Sequence, residues 1–395
     1  MPPINVLVTI GNGFDLKAGM KTSYKDFHHY LSSRVFPREY RIIAEGMANA
    51  LNYGYLEKDS LESPLSDSSA DVWSLLFLTL SALEEKAGRL RNLLLHDWKD
   101  IERLIFNMTE ENGFCWKAVL RHLDISEAST YAGIRYESST YLNRFPEEAI
   151  AQVYAATLLA HGSFRDRLLR YREGTISENV VSFLLSQLIL FEQRFGTYIK
   201  SQNEIPALAN RRNDLLGLLL QEYSNRPHQL FIDSFNYDED WNGFVRYING
   251  DFHNPIFGID ESLLPKDSVW LPFSKGSRRL YLDRSLMSGR LDFVTPDVMI
   301  VYGHSLNKQD HAYFFNLFDA MNLTDPTKKT KVCFCYSRYG DKTSEQVKNE
   351  MIKLVLKLFE KYDERNARRT VPLHTLTQLE ICGRINIKEI ETTFD

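Results

Sequence analysis

The run Ile4-Asn5-Val6-Leu7-Val8-Thr9-Ile10 is almost continuously apolar and rich in β-branched residues, and it breaks abruptly at Gly11-Asn12-Gly13. A strand of that texture is covered on both faces, as strands of a parallel sheet are. The glycines at its end mark a loop. Residues 228–235 repeat the pattern and stop at Asn236-Tyr237-Asp238; residues 297–302 repeat it again and stop at Gly303-His304-Ser305. Residues 331–336 read as a further strand. Helical texture lies between these strands. Thr22-Ser23 with Asp26 suits an N-cap opening a helix to about residue 33. A short helix is expected from Asp238 to about residue 248, another over 309–321, and a long amphipathic one over 344–365. Strands alternating with helices predict an α/β fold, a Rossmann-like, mostly parallel sheet.

The middle of the chain has a different texture. Helix-period stretches follow one another at 40–51, 71–95, 98–107, 146–172, 176–200 and 207–224, with almost no strand signal. A length of 395 residues exceeds one ordinary domain. The expected organisation is a Rossmann-like core from residues 1–36 plus 226–395, split in sequence by an all-helical insertion at 37–225.

Charge narrows the partners. Forty-seven basic residues against 52 acidic ones leave a formal charge of −5, too balanced for a protein that coats phosphate backbones. Nucleic acid is therefore not an expected partner, and the pairs Arg211-Arg212, Arg278-Arg279 and Arg368-Arg369 read as solvated surface. Cleavage of phosphodiesters also lacks its usual acidic metal cluster. Of four cysteines only Cys333 and Cys335 are close; as alternate residues of a strand they point to one face, as buried thiols of a reducing compartment. No zinc site is expected, nor any other metal site. The N-terminus has neither a basic n-region nor an apolar h-region, and no uncharged stretch reaches the ~18–20 residues of a membrane span. The expected location is the cytoplasm, with no membrane partner.

In open parallel sheets ligands bind beyond the carboxyl ends of the strands. The three loops Gly11–Asp15, Asn236–Asp238 and Gly303–Ser305 would line one crevice if their strands are neighbours. Gly11 and Gly13 fit the start of a G-x-G-x-x-G fingerprint, but position 16 is leucine. No Gly-Lys-Ser/Thr follows, so the loop is not a P-loop. Two readings stay open: a nucleotide cradle, and a structural strand-to-helix turn. Gly303-His304-Ser305-Leu306-Asn307 fails as a nucleophile elbow, because asparagine stands where the second glycine belongs. His304 can serve as a general base, or be a histidine satisfied by loop backbone. Asn236 and Asp238 can orient a water and accept its proton, or cap the following helix. In Trp98-Lys99-Asp100-Ile101-Glu102, Trp98 and Glu102 share a helix face; the plain reading is an amphipathic helix with a buried tryptophan and solvated acids.

These segments together resemble the AbiH family of bacteriophage abortive-infection proteins. Ile10-Gly11-Asn12-Gly13-Phe14-Asp15-Leu16, with Gly19 and Thr22-Ser23-Tyr24-Lys25-Asp26-Phe27, is similar to that family's N-terminal signature. Trp98–Glu102 resembles its W-x-D-x-E segment, and Ser234-Phe235-Asn236-Tyr237 its S-F-N-Y-T element, with Asp238 at the threonine position. Asn254-Pro255-Ile256-Phe257-Gly258-Ile259-Asp260 and Tyr302-Gly303-His304-Ser305-Leu306, with Asp310, are similar to its later motifs. The resemblance implies defence against phage. The layout also resembles a remote version of the sirtuin-like nucleotide fold, whose defence members cleave NAD with an asparagine that positions water and a histidine base. In AbiH-like chains a His-Gly pair commonly follows the asparagine element; here Asn249-Gly250 stands in that place. His304 is the expected substitute, while His253 lies in what reads as an exposed turn.

The expected function is thus that of an abortive-infection effector that binds a nucleotide such as NAD and hydrolyses it. Asn236, Asp238 and His304 are its expected catalytic residues. Gly11, Asn12, Gly13, Phe14, Asp15, Tyr237, Gly303 and Ser305 are expected to hold the nucleotide. The competing class is a non-catalytic sensor of a phage component or nucleotide. No cofactor beyond NAD or a related nucleotide is expected, and self-association is left open.

Overall fold

The structure is a computed structural model. It describes residues 3–53, 55–56, 65, 68–87, 99–109, 134–135, 157–158, 161–162, 178–237, 241, 244–281, 295–366 and 374–392. These fall into two compact units. One comprises Met1–Thr22, Ile199–Pro255 and Leu280–Asp395; the other comprises Ser23–Tyr198 and Ile256–Arg279.

The first unit is built on a six-stranded sheet. Its strands are β1 (Ile4–Ile10), β2 (His228–Ser234), β3 (Phe244–Tyr247), β4 (Val298–Tyr302), β5 (Lys331–Tyr336) and β6 (Ile385–Glu389). All pairings are parallel, and the order across the sheet is β3-β2-β1-β4-β5-β6. That is the doubly wound order of dinucleotide-binding domains. It reverses direction between β1 and β4, which places the switch point at the ends of Ile10 and Tyr302.

Side-chain alternation explains why the sheet is covered on both faces. Val6, Val8, Ile10, Ile232 and Ile300 point one way, onto Leu215 and Leu219 of the helix Pro206–Leu220. Leu7, Phe231, Met299, Val301 and Phe334 point the other way. They meet Phe314 and Phe318 of the helix His311–Ala320, and Leu358 and Phe359 of the helix Ser344–Arg365. Burying one such large apolar side chain contributes about 1.5–3 kcal/mol. The long helix begins at the capping box of Thr343 and Gln346, which satisfies two backbone donors at once.

Two elements differ from expectation. Where a short helix was expected up to residue 248, Phe244–Tyr247 is a strand beside β2. Its burial alternates, with Val245 and Tyr247 buried and Phe244 exposed, which is the period of a strand. Strand β6 carries the weak alternation Ile385-Asn386-Ile387 and lies at the sheet edge, and it has no counterpart in the sequence reading.

The second unit is mainly helical among its described residues. It contains Tyr24–Tyr30, Pro37–Tyr53, Val72–Ala87, Lys99–Thr109 and most of the helix Glu178–Asn203, with a two-residue ladder of Tyr55–Leu56 and Ile134–Arg135. Phe27, Phe77, Phe191, Phe195 and Tyr198 form an aromatic cluster at its core. Glu102 is buried there and accepts from Lys275 at 2.7 Å, so Glu102 is not the solvated acid expected of that segment. Trp98 lies outside the described residues. Glu192, also buried, accepts the Phe257 N–H at 2.7 Å and Arg278 at 2.6 Å, and burial pushes its carboxyl up to about 7.

Candidate functional site

The three loops expected to converge do so. Ile10 lies beside Ser234 and beside Tyr302, so the segments after β1, β2 and β4 leave the sheet together. The Asn236 amide donates to the Gly11 carbonyl at 3.1 Å, across 225 positions of sequence. The Gly13 N–H donates to the Gly303 carbonyl at 2.9 Å.

The glycines are explained by this approach. A Cβ on Gly11 would lie 2.8 Å from the Gly303 oxygen and the His304 Cα; one on Gly13 would lie 2.8 Å from the Gly303 Cα. Gly303 itself has φ +68, and a Cβ there would stand 2.3 Å from the Phe14 nitrogen. Three glycines therefore let two backbones touch at the switch point. The N–H groups of Gly11, Gly13 and Phe14 are taken by the carbonyls of Tyr302, Gly303 and Gly11. The Asn12 side chain is tied to Thr22, accepting its hydroxyl at 2.6 Å. Phe14 is fully buried, edge-on to Tyr302 and tilted against Trp241.

Asp15 is the charged residue of this end. It is buried, on the first turn after the loop, 3.5 Å from the Nε of Arg212. Burial pushes its carboxyl up to about 6, while Arg212 and a hydrogen bond from Asn236 pull it down. Arg212, buried, lies with its guanidinium 4.4 Å from the Trp241 ring. The Arg211-Arg212 pair is thus divided: Arg211 is exposed, and Arg212 belongs to this cluster. A dibasic pair near a helix start carries no sign in sequence of which member turns inward.

His304 is buried between Phe235 and Phe314. Its Nδ1 accepts the Leu306 N–H at 2.9 Å, which assigns its proton to Nε2, 3.5 Å from Asp310. Of its two open readings, the loop-held histidine matches these bonds. Tyr237 is buried and Ser305 half-buried on the same segments. Asp238 lies outside the described residues. His253 is exposed, as its turn suggested.

Asn249, which the sequence sets after the asparagine element where AbiH-like chains carry histidine, lies against that element. It follows β3, and its Nδ2 donates to the Phe235 carbonyl at 3.3 Å, one residue before Asn236. That bond fixes the amide's orientation, because only the nitrogen can donate. Its Oδ1 is buried with no hydrogen-bond partner. Cys333 and Cys335, one strand beyond Tyr302, have their sulfurs 3.5 Å apart on one face, as alternate positions predict. No group of three metal-ligating side chains occurs among the described residues, and none of their helices is long and apolar enough to cross a membrane.

Sheet order, helices on both faces and a polar switch point define a doubly wound, Rossmann-like α/β unit, carried in a chain with a large helical unit. Residues 7–181 match the model of a family described as bacteriophage abortive infection AbiH, so over that stretch the chain is similar to that family. The match takes in the glycine loop and much of the helical unit, and ends before Asn236, Asn249 and His304. No curated protein and no solved structure matches the chain.

Proposed function

We propose that this protein acts in phage defence through a nucleotide bound at the switch point of its α/β unit, with NAD the first ligand to test. The observation that carries the reading is the buried Asp15–Asn236–Arg212 cluster at the carboxyl ends of β1 and β2, where sheets of this order take their ligands. The buried Oδ1 of Asn249, which has no hydrogen-bond partner, supports a missing polar ligand, since buried polar atoms are rarely left unpaired. The sirtuin-like layout supports NAD in particular.

In the hydrolytic form of this proposal Asn236 orients the ligand or its water. Asp15 exchanges the proton, because its carboxyl titrates at about 6, close to working pH. Asp238, two positions after Asn236 in sequence, is proposed as a second carboxylate. His304 holds the Gly303 segment through its bonds to Leu306 and Asp310, so the role of base passes from His304 to Asp15.

The test is thermal denaturation with NAD, ADP-ribose or ATP, followed by an assay of NAD loss. A ligand at 100 times its Kd adds about 2.7 kcal/mol of apparent stability. Asn236→Ala is expected to end NAD loss while the fold persists. The second reading, a sensor without turnover, is favoured by Asn249, whose amide offers no basic nitrogen. NAD binding without loss, even with phage lysate added, would select it.

A further inference from the structure

Strand β5 of the sheet unit carries two thiols in contact. Alternate residues of a strand share a face, so Cys333 and Cys335 point the same way, with their sulfurs 3.5 Å apart in a hydrogen bond. The two differ in cover. Cys335 is buried in the apolar core that holds Leu215 and Leu219, opposite Tyr302 of β4. Cys333 is half-buried at the edge of that core, where Tyr223 also packs. Lys388 of β6 stands opposite Cys335 and is ion-paired with Glu222.

A reagent arriving from solvent therefore meets Cys333 before Cys335. Proton sharing sharpens the difference. The bond from Cys335 draws the Cys333 thiol down, against burial and Glu222, while the same bond and burial hold the Cys335 thiol up. Cys333 is thus the one that reaches the thiolate, the nucleophilic form.

We propose that Cys333 and Cys335 are a reversible oxidation site for hydroperoxides, with Cys333 the nucleophile and Cys335 the resolving thiol. The Cys333 thiolate attacks one oxygen of hydrogen peroxide. The S–O bond forms, the O–O bond breaks, and the departing hydroxide takes up the proton that Cys333 had released. The Cys335 sulfur then attacks the sulfenic sulfur of Cys333. The S–S bond forms, the S–O bond breaks, and the departing hydroxide leaves as water with the Cys335 proton. Two thiols and one peroxide give one disulfide and two waters; the sulfur pair loses the two electrons that the peroxide gains. At a strand rise of about 3.2–3.4 Å per residue, Cα atoms two residues apart lie ~6.4–6.8 Å apart, the upper end of what a disulfide bridges. A bond made at that limit is readily reduced, which makes the site reversible and not a structural staple. It needs no bound nucleotide, so its failure leaves the nucleotide reading standing.

The experiment exposes the folded full chain to hydrogen peroxide, removes the peroxide, unfolds the chain and alkylates the remaining thiols. Trypsin then releases Val332–Arg338, which carries both cysteines in one peptide. That peptide is expected to lose the mass of two hydrogens and escape alkylation, and to regain both thiols with dithiothreitol. In Cys335→Ser, dimedone should trap a sulfenic acid on Cys333. In Cys333→Ser, Cys335 should remain a thiol. Full alkylation of both residues after peroxide has oxidised the exposed Cys382 overturns the proposal. So does sulfinic acid on Cys333 without the internal disulfide, or a disulfide joining either residue to Cys382. Sulfenic acid trapped on Cys335 in Cys333→Ser overturns the assignment of the two roles. Should a variant fail to fold, the peptide map of the unaltered chain decides alone.

Discussion

Gly13 and Gly303 are joined by a 2.9 Å hydrogen bond between backbone groups 290 positions apart, and neither residue has room for a side chain. The contact seals the switch point between β1 and β4. Gly303→Ala meets both a positive φ and a 2.3 Å backbone clash, and is expected to cost about 3 kcal/mol or more. Gly340→Ala is the control: its φ is +55, but nothing lies within 4 Å, so only about 1 kcal/mol is expected. Chemical denaturation of the two variants checks the difference.

The raised carboxyls set a pH dependence. Burial pushes the Asp15 carboxyl up to about 6 and that of Glu192 up to about 7 in the folded chain, from ordinary values of 3.8 and 4.5. A carboxyl raised on folding binds its proton more tightly in the native state. Its contribution is therefore favourable below its unfolded value and lost as pH rises through its folded value. Denaturation midpoints should fall between about pH 4 and pH 7 through these two groups. Asp15→Asn should remove the part of that slope below about pH 6 and leave the part owed to Glu192. An unaltered slope in this variant would contradict the burial argument.

Thiol reactivity should follow exposure and proton sharing. Cys382 is exposed, Cys333 half-buried and Cys335 buried. The bond with Cys333, together with burial, holds the Cys335 thiol well above its ordinary range, and the same bond draws Cys333 down. Alkylation followed by peptide mapping should label Cys382 and Cys333 before Cys335, with Cys335 labelled only on unfolding.

The helical unit offers a test of a buried charge pair. Lys275 and Glu102 are 2.7 Å apart and both largely out of solvent. Removing one partner, as in Glu102→Leu, is expected to cost about 3–5 kcal/mol, because the other charge stays buried. The double change Glu102→Leu with Lys275→Met should recover most of that loss. Additive losses in a double-mutant cycle would contradict a direct pairing.

How far the sequence led depends on which forces act locally. Strands β1, β2, β4 and β5 are legible because burial on both faces leaves continuous apolar runs such as Val298-Met299-Ile300-Val301. The meeting of Gly11, Asn236 and Gly303 followed from glycine and polar loops at strand ends, once those strands were taken as neighbours. Strand β3 was hidden because four residues with one exposed phenylalanine carry too short a period. Arg212 was hidden for another reason. Its burial depends on a partner far away in sequence, Asp15, and nothing in its own neighbours marks it. The role of His304 turned on which nitrogen meets Leu306, a property of loop geometry alone.

The central claim is that a nucleotide sits where β1 and β2 end, against Asp15, Asn236 and Asn249. A crystal structure of the full chain grown with NAD tests it most directly. The account predicts density for the ligand beside the Asp15 carboxyl and the Asn236 and Asn249 amides, with the Gly13–Gly303 hydrogen bond intact. Ligand density confined to another part of the chain, or a diphosphate seated on the Gly11–Phe14 nitrogens with that bond broken, would contradict it.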